Sequence, residues 1–529
     1  MLHPRVLALL IPAAALFAQN RTLEVRTPAG VLRGALSDDG KLRAFKGIPF
    51  AAPPVGPLRW QRPQPVTPWT GARDATAFGA HCVQARIFDD IVFRDSGASE
   101  DCLYLNVWTP AESASARLPV MVWIYGGGFA AGAASEARQD GANLAHHGVV
   151  VVSMNYRLGI FGFFSHAGLA GENHQHASGN YGLMDQAAAI RWVHDNIALF
   201  GGDPGNVTIF GESAGSFSVS ALMASPLSKG LIHRAIGESG GYFGETLALH
   251  TLAETEKDDM EFARKSLGTD SLEALRAKSA DEILKAVSQG PPVRFVPNID
   301  GYVLPESVEA IFAAGQQAHV PLLAGWNADE QDYRGILGRD PLTPENFASH
   351  VRTLYGAHAD EILKLYAGPD AVALRRAAGD LASDRFIAFG TWNWIENHLQ
   401  TGRSPVYRYH FEQNLPLAAN APADAHPAAP HASEIEFVFQ MLSARNLPWR
   451  PEDQKVSDMM AAYWSNFAKN SDPNGGGLTK WPAYPGNEYQ VMHIAADPHA
   501  APDAQRARYL ALKGIRADTS PLMNADKRR

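Results

Sequence analysis

Short apolar runs separated by stretches of helical periodicity set the pattern of this chain. Leu118-Pro119-Val120-Met121-Val122-Trp123-Ile124-Tyr125, Val149-Val150-Val151-Val152-Ser153-Met154-Asn155 and Val207-Thr208-Ile209-Phe210 are mostly continuous in apolar character, the mark of strands buried on both faces. Arg234-Ala235-Ile236-Gly237, Val320 to Asn327 and Val406 to Phe411 extend the series. Between two of these runs, Leu183, Ala187, Ile190, Val193, Ile197 and Phe200 recur at spacings of three and four, which predicts an amphipathic helix closed by Gly201-Gly202. Thr22 to Thr27 and Leu103 to Trp108 alternate instead; the first predicts an antiparallel edge ahead of a Pro- and Gly-rich stretch over 48–68. Strands alternating with helices predict a largely parallel α/β sheet in a single domain over 19–529. From about 247 to 290 the texture turns to charged helical segments, read as an inserted helical region over the sheet edge. Residues 414–430 are rich in Ala and Pro and read as a surface loop, and the tail after about 510 reads as frayed.

Composition sharpens this in three places. Hydrophobic residues make up 46% of 529, enough for one large core, and a net charge of −9 argues against nucleic acid or an anionic membrane as partner. The N-terminus has a basic Arg5, an apolar run from Val6 to Phe17 and a small Ala18, which reads as a signal peptide over 1–18 and a secreted or periplasmic product. Cleavage after Ala15 stays open because Leu16 is bulky. The run is too short to span a bilayer, and no later stretch reads as a span. Export would oxidise the only two cysteines, Cys82 and Cys102, closing a loop worth roughly 3 kcal/mol in the chain-entropy model. Two buried thiols are the alternative; a zinc pair lacks histidines at usable spacing. Asn20-Arg21-Thr22 and Asn206-Val207-Thr208 fit a glycan acceptor pattern.

The chemistry centres on Gly211-Glu212-Ser213-Ala214-Gly215, preceded by the Val207 to Phe210 strand and followed by a stretch able to begin a helix. A serine held on that strand-to-helix turn has an exposed hydroxyl beside a backbone N–H and a positive dipole end. Gly126-Gly127-Gly128-Phe129 closes the Leu118 strand and frees backbone N–H groups to turn inward. Gly126, Gly128 and Ala131 also fit a loose dinucleotide pattern, but the next strand ends in Asn155 and not in the acid that binds a ribose. With the order nucleophile, acid, base, the acid candidates at a strand end are Asp329 and Glu330. The base candidates are narrowed by position from 19 histidines to His431 and His426.

The serine segment, preceded by Gly201-Gly202-Asp203-Pro204-Gly205-Asn206-Val207-Thr208, resembles the serine signature of the type-B carboxylesterases, the group that includes the cholinesterases. Ser99-Glu100-Asp101-Cys102-Leu103-Tyr104-Leu105-Asn106-Val107 is similar to that family's second signature, and Asn155 to Gly159 and Asn180 to Gln186 match as well. The resemblance runs from about 22 to about 495 and implies the α/β-hydrolase fold: a large, mostly parallel sheet flanked by helices with inserted helical cap segments. It implies Ser213 as nucleophile, Glu330 as acid with Gln331 in place of the family's glycine, and His431 as base with Ala432 in place of another. It implies oxyanion donors at Gly127, Gly128 and Ala214, and a Cys82–Cys102 disulfide. The expected reaction is hydrolysis of a small-molecule ester through an acyl-enzyme, a mechanism that calls for no metal or cofactor. Amide, lactone or carbamate cleavage by the same groups is the second reading, and a non-catalytic adhesion-type member the third. No tryptophan lies between Cys82 and Cys102, so the cholinesterases' platform for a quaternary ammonium is missing there. Tyr125, Phe129, Val293, Arg294, Phe295, Tyr333 and Arg334 are the expected pocket residues, with Arg294 and Arg334 able to receive a substrate carboxylate or to pair with nearby acids. Oligomeric state is not legible in the sequence.

Overall fold

In the computed structural model the described residues are 23–290, 292–422, 425–486 and 488–519; the expected signal segment and the Asn20 acceptor lie outside them. One sheet of eleven strands organises the molecule. Along the chain these are β1 (Ala35–Leu36), β2 (Arg43–Pro49), β3 (Tyr104–Thr109), β4 (Leu118–Ile124), β5 (Val150–Met154), β6 (Gly202–Glu212), β7 (Arg234–Glu238), β8 (Leu322–Asn327), β9 (Val406–Phe411), β10 (Gln490–Ile494) and β11 (His499–Pro502). Their order across the sheet is 11-10-9-8-7-6-4-5-3-2-1. From β5 through β10 every neighbouring pair runs parallel, while β1 to β3 and β11 add antiparallel edges. The continuous apolar runs are the central strands: β5, β8 and β9 are buried at every position, because helices cover both faces. A three-stranded sheet of Glu24–Thr27, Gly30–Arg33 and Ala72–Asp74 sits at the N-terminal end.

The 247–290 region forms helices Leu252–Phe262, Leu272–Ala277 and Ala280–Gln289. Thr251 with Glu254 and Ser279 with Glu282 cap two of them reciprocally, satisfying N–H groups that the helix itself cannot. Arg59 ties this region down: its guanidinium bonds Glu100 at 2.6 Å and donates to the Lys278 carbonyl at 2.6 Å. Cys82 and Cys102 form a disulfide. Among the described residues no helix is long and apolar enough to cross a membrane.

The chain end departs from expectation. Arg506–Thr519 is a helix, where a frayed tail was expected after about 510. Its stripe is only Tyr509, Leu512 and Ile515, all buried, at spacings of three. Tyr509 packs on Trp326 and Trp392, and the two arginines just before it are paired: Arg506 with Glu396 and Arg508 with Asp380.

Candidate active site

Ser213 stands between the end of β6 and the helix Ala214–Ala224, with φ 52° and ψ −123°. A side chain holds such a conformation only where its surroundings over-determine it, at a cost of about 1–3 kcal/mol. Here the flanking glycines do so. A Cβ on Gly215 would lie 1.9 Å from the Ile124 carbonyl oxygen, and one on Gly211 2.5 Å from the same atom. The Ser213 N–H donates to the Glu238 carbonyl at 2.9 Å, and the Ser213 carbonyl accepts from Phe217 N–H at 2.9 Å.

Gly127 (φ 96°) and Gly128 (φ 65°) follow β4 in left-handed conformations that release the backbone from extended geometry. The Gly127 carbonyl closes a turn by accepting from Ala130 and Ala131 at 3.0 and 3.1 Å. Among the described residues no acceptor takes the N–H groups of Gly127, Gly128 or Ala214.

The adjacent acids Asp329 and Glu330 divide their work. Glu330 Oε2 lies 2.5 Å from His431 Nδ1, while its Oε1 accepts from the Asn327 N–H at 2.7 Å and from the Ser239 hydroxyl at 2.5 Å. Asp329 turns to the loop carrying the histidine: it accepts from Ala429 N–H at 2.9 Å, donates its own N–H to the Ala429 carbonyl at 3.0 Å, and pairs with Arg376 at 3.1 Å. His426 makes no bond to either acid. Ala432, directly after His431, has φ 64°.

A second carboxylate attends the histidine. Glu212 Oε1 lies 3.2 Å from His431 Nε2, yet meets no hydrogen-bond geometry. Burial pushes the Glu212 carboxyl up, to about 7, against the pull of His431 and Arg138. For His431 burial works downward, and the charges of Glu212 and Glu330 with the Glu330 hydrogen bond outweigh it, raising the imidazole to about 9. Behind them Glu434 accepts from Asn327 Nδ2 at 2.5 Å; burial and then the charges of Glu212 and Glu330 raise it to about 8. Sequence reading missed Asn327, Ser239 and Glu434. The one available signal was Glu434 lying three residues after His431.

Ser213, His431, Gly127 and Gly128 line one cavity of about 620 Å³. Ile87, Phe88 and Ile91 of the disulfide loop, and Leu284 and Val287 of the inserted helices, are among its apolar lining, as is Phe386, which packs edge-on against His431 at 5.0 Å. Val293, Arg294 and Phe295 join this lining. Four other expected pocket residues do not. Tyr125 is fully buried behind the glycine loop, stacked on Tyr156 at 4.5 Å with its hydroxyl on the Tyr156 carbonyl. Phe129 packs edge-on against Phe163 with no exposure. Tyr333 turns to the guanidinium groups of Arg334 and Arg375, and Arg334 pairs with Asp332 at 2.8 Å. Gly127, Gly128, Ala130 and Gln331, one to three residues away along the chain, reach the cavity; these four side chains do not.

A mostly parallel, helix-flanked sheet bearing a serine on its strand-to-helix turn and a histidine–carboxylate pair on later loops is the architecture of the α/β-hydrolases. The carboxylesterase family profile matches residues 21–512. Relatives include a fumonisin B1 esterase of Sphingopyxis macrogoltabida, 37% identical over 90% of this chain and 86% of its own, and a medium-chain fatty acyl-CoA hydrolase precursor of Anas platyrhynchos, 38% identical over 87% and 86%. Among solved structures, the Geobacillus stearothermophilus carboxylesterase EST55 superposes with a TM-score of 0.79 at 33% identity, covering 93% of this chain and all of that one. The chain belongs to the carboxylesterase family, and it is a carboxylic-ester hydrolase.

Proposed function

We propose that Ser213 attacks the ester carbonyl, that His431 takes its proton and then delivers it to the leaving alkoxide, and that Glu330 orients the imidazole and stabilises its charged form. The observation that carries this reading is the 2.5 Å contact of His431 Nδ1 with Glu330, with His431 and Ser213 both lining one cavity. A serine hydroxyl is a weak nucleophile until a base removes its proton during attack. The N–H groups of Gly127, Gly128 and Ala214, left without protein acceptors, are donors for the developing oxyanion, each worth about 3 kcal/mol in such sites. Water activated by His431 then cleaves the acyl-enzyme, restoring Ser213. A fluorophosphonate probe tests the assignment: it should label the wild-type chain once, at Ser213, and leave Ser213→Ala unlabelled. Equal labelling of the two would refute it.

The apolar lining favours esters with sizeable apolar groups. Relatives named for fumonisin B1, fatty acyl-CoA and cocaine differ too widely to choose one. Arg294 favours a second reading, hemi-esters with a free carboxylate: it is exposed at the cavity and has no ion-pair partner among the described residues. Matched neutral and hemi-ester substrates decide this. Arg294→Ala should raise KM for the hemi-ester alone; equal rates unchanged by the substitution would exclude it. We also infer export, with cleavage after Ala18, from the Arg5 to Ala18 pattern together with the Cys82–Cys102 disulfide. N-terminal sequencing of the mature protein checks it.

A further inference from the structure

Away from the serine, three strands bring imidazoles into one row. Register sets His410 of β9 opposite His493 of β10, and His493 opposite His499 of β11, so all three project from one face. Glu412, two residues beyond His410, returns to that face. Its Oε1 is met by His410 Nδ1 at 2.7 Å and by His493 Nδ1 at 2.8 Å. One ligand atom from each of the three residues lies within 4.8 Å of the others. His499 stacks on His493 at 5.0 Å and holds its ring direction.

We propose that His410, Glu412 and His493 form a binding site for a divalent transition-metal cation of the Zn²⁺ type. Two imidazole nitrogens and one carboxylate oxygen are the donor set such ions take, whereas Mg²⁺ and Ca²⁺ require mostly oxygen. Nitrogen and oxygen ligands about 2.1 Å from a tetrahedral ion stand roughly 3.4 Å apart. The two Nδ1–Oε1 separations, 2.7 and 2.8 Å, must therefore open by roughly two-thirds of an ångström. Glu412 can supply that movement: it follows the end of β9 and its side chain is 34% exposed, against 7% for His410. Its carboxyl is held low: burial pushes it up, and the hydrogen bonds from the two histidines prevail. The cation takes the place of the two protons now directed at Glu412. Starting from neutral rings, each proton moves through solvent to Nε2, which has no partner among the described residues, and there is no net proton release. The ion would join β9 to β10 where Glu412 N–H already donates to the Ile494 carbonyl at 2.8 Å, at the root of the segment leading to His431.

A hydrogen-bonded triad that takes no metal would hold the same residues together, and titration of the metal-stripped full chain with ZnCl₂ separates the two. One Zn²⁺ should bind per chain and raise the melting temperature. His493→Ala and Glu412→Gln should each weaken binding at least tenfold, as loss of a site residue does elsewhere. Zn²⁺ should also protect His493 of the wild-type chain from carbethoxylation, read by peptide mass spectrometry, which needs no variant to fold. Absence of saturable binding up to millimolar Zn²⁺, binding unchanged in both variants, or His493 modified equally with and without Zn²⁺ would each overturn the proposal.

Discussion

Ala432 sits at φ 64°, a conformation that costs an L-residue roughly 1–2 kcal/mol because Cβ crowds the carbonyl. Glycine adopts it freely but loses more freedom on folding, by roughly 0.5–1 kcal/mol. Ala432→Gly should thus stabilise the chain by about 0.5 kcal/mol or slightly more, read as a higher urea midpoint at constant slope. Gln331, the other position where the resembling family carries glycine, has no positive φ, so its side chain carries no such cost. Beside Ala432, the close approach of Glu212 to His431 makes a pH prediction. Glu212 is the strongest of the charges that raise the imidazole, and catalysis as proposed needs that imidazole neutral. Glu212→Gln removes an upward pull, so the acid limb of kcat/KM should move to lower pH, by about 1–3 units for an opposite charge this close. An unmoved limb would mean that the charge of Glu212 does not set the histidine's titration. The same raised value stabilises the fold fully below about 6.5, the ordinary histidine pKa, and that contribution is lost as pH rises through about 9.

At the scale of elements, the histidine loop is held by the acid loop through Asp329. Asp329→Ala removes the acceptor for Ala429 N–H and the Arg376 pair, loosening the segment before His431, which keeps its bonds to the residue-329 N–H and to Asn327. Misplacement by about 1 Å can cost on the order of a hundredfold, so kcat should fall ten- to a hundredfold with KM nearly unchanged, while Asp329→Asn retains much of the rate. The loop closed by Cys82 and Cys102 acts on the other side of the cavity. Opening it with Cys82→Ser should lower stability by roughly 3 kcal/mol and raise KM more than it lowers kcat, because Ile87, Phe88 and Ile91 bound the cavity and not the serine. The strands were legible because burial on both faces leaves one signature, an unbroken apolar run. The serine turn and glycine loop were legible because their backbone demands glycine at fixed spacing. Side-chain direction was not: Tyr125 and Tyr333 lie two residues from Gly127 and Gln331, which line the cavity, and no periodicity holds in a loop to say which way they turn. Pairing of distant carboxylates, such as Glu434 with Asn327, is a tertiary fact that leaves no local pattern.

Across the whole molecule, the last helix closes the core. Its apolar stripe is only three residues long and is flanked by arginines, so it read as a frayed tail; the partners that make it a helix, Trp392, Glu396 and Asp380, lie more than a hundred residues earlier. Ending the chain at Gln505 would expose Trp392 and remove the burial of Tyr509, Leu512 and Ile515. At roughly 1.5–3 kcal/mol for each large side chain, that is comparable to the full stability of many domains. The truncated chain should fail to give a cooperative melting transition. The cavity has a further consequence for the molecule as a whole. The residues proposed for chemistry come from the ends of central strands and the turns beside them; Phe386 packs on the His431 ring, whereas much of the remaining apolar lining comes from the disulfide loop and the inserted helices. Changes in those outer segments can therefore redraw the range of acceptable esters while the hydrolytic machinery is inherited intact, so that grafting residues 83–93 from a relative should carry over substrate preference without carrying over turnover.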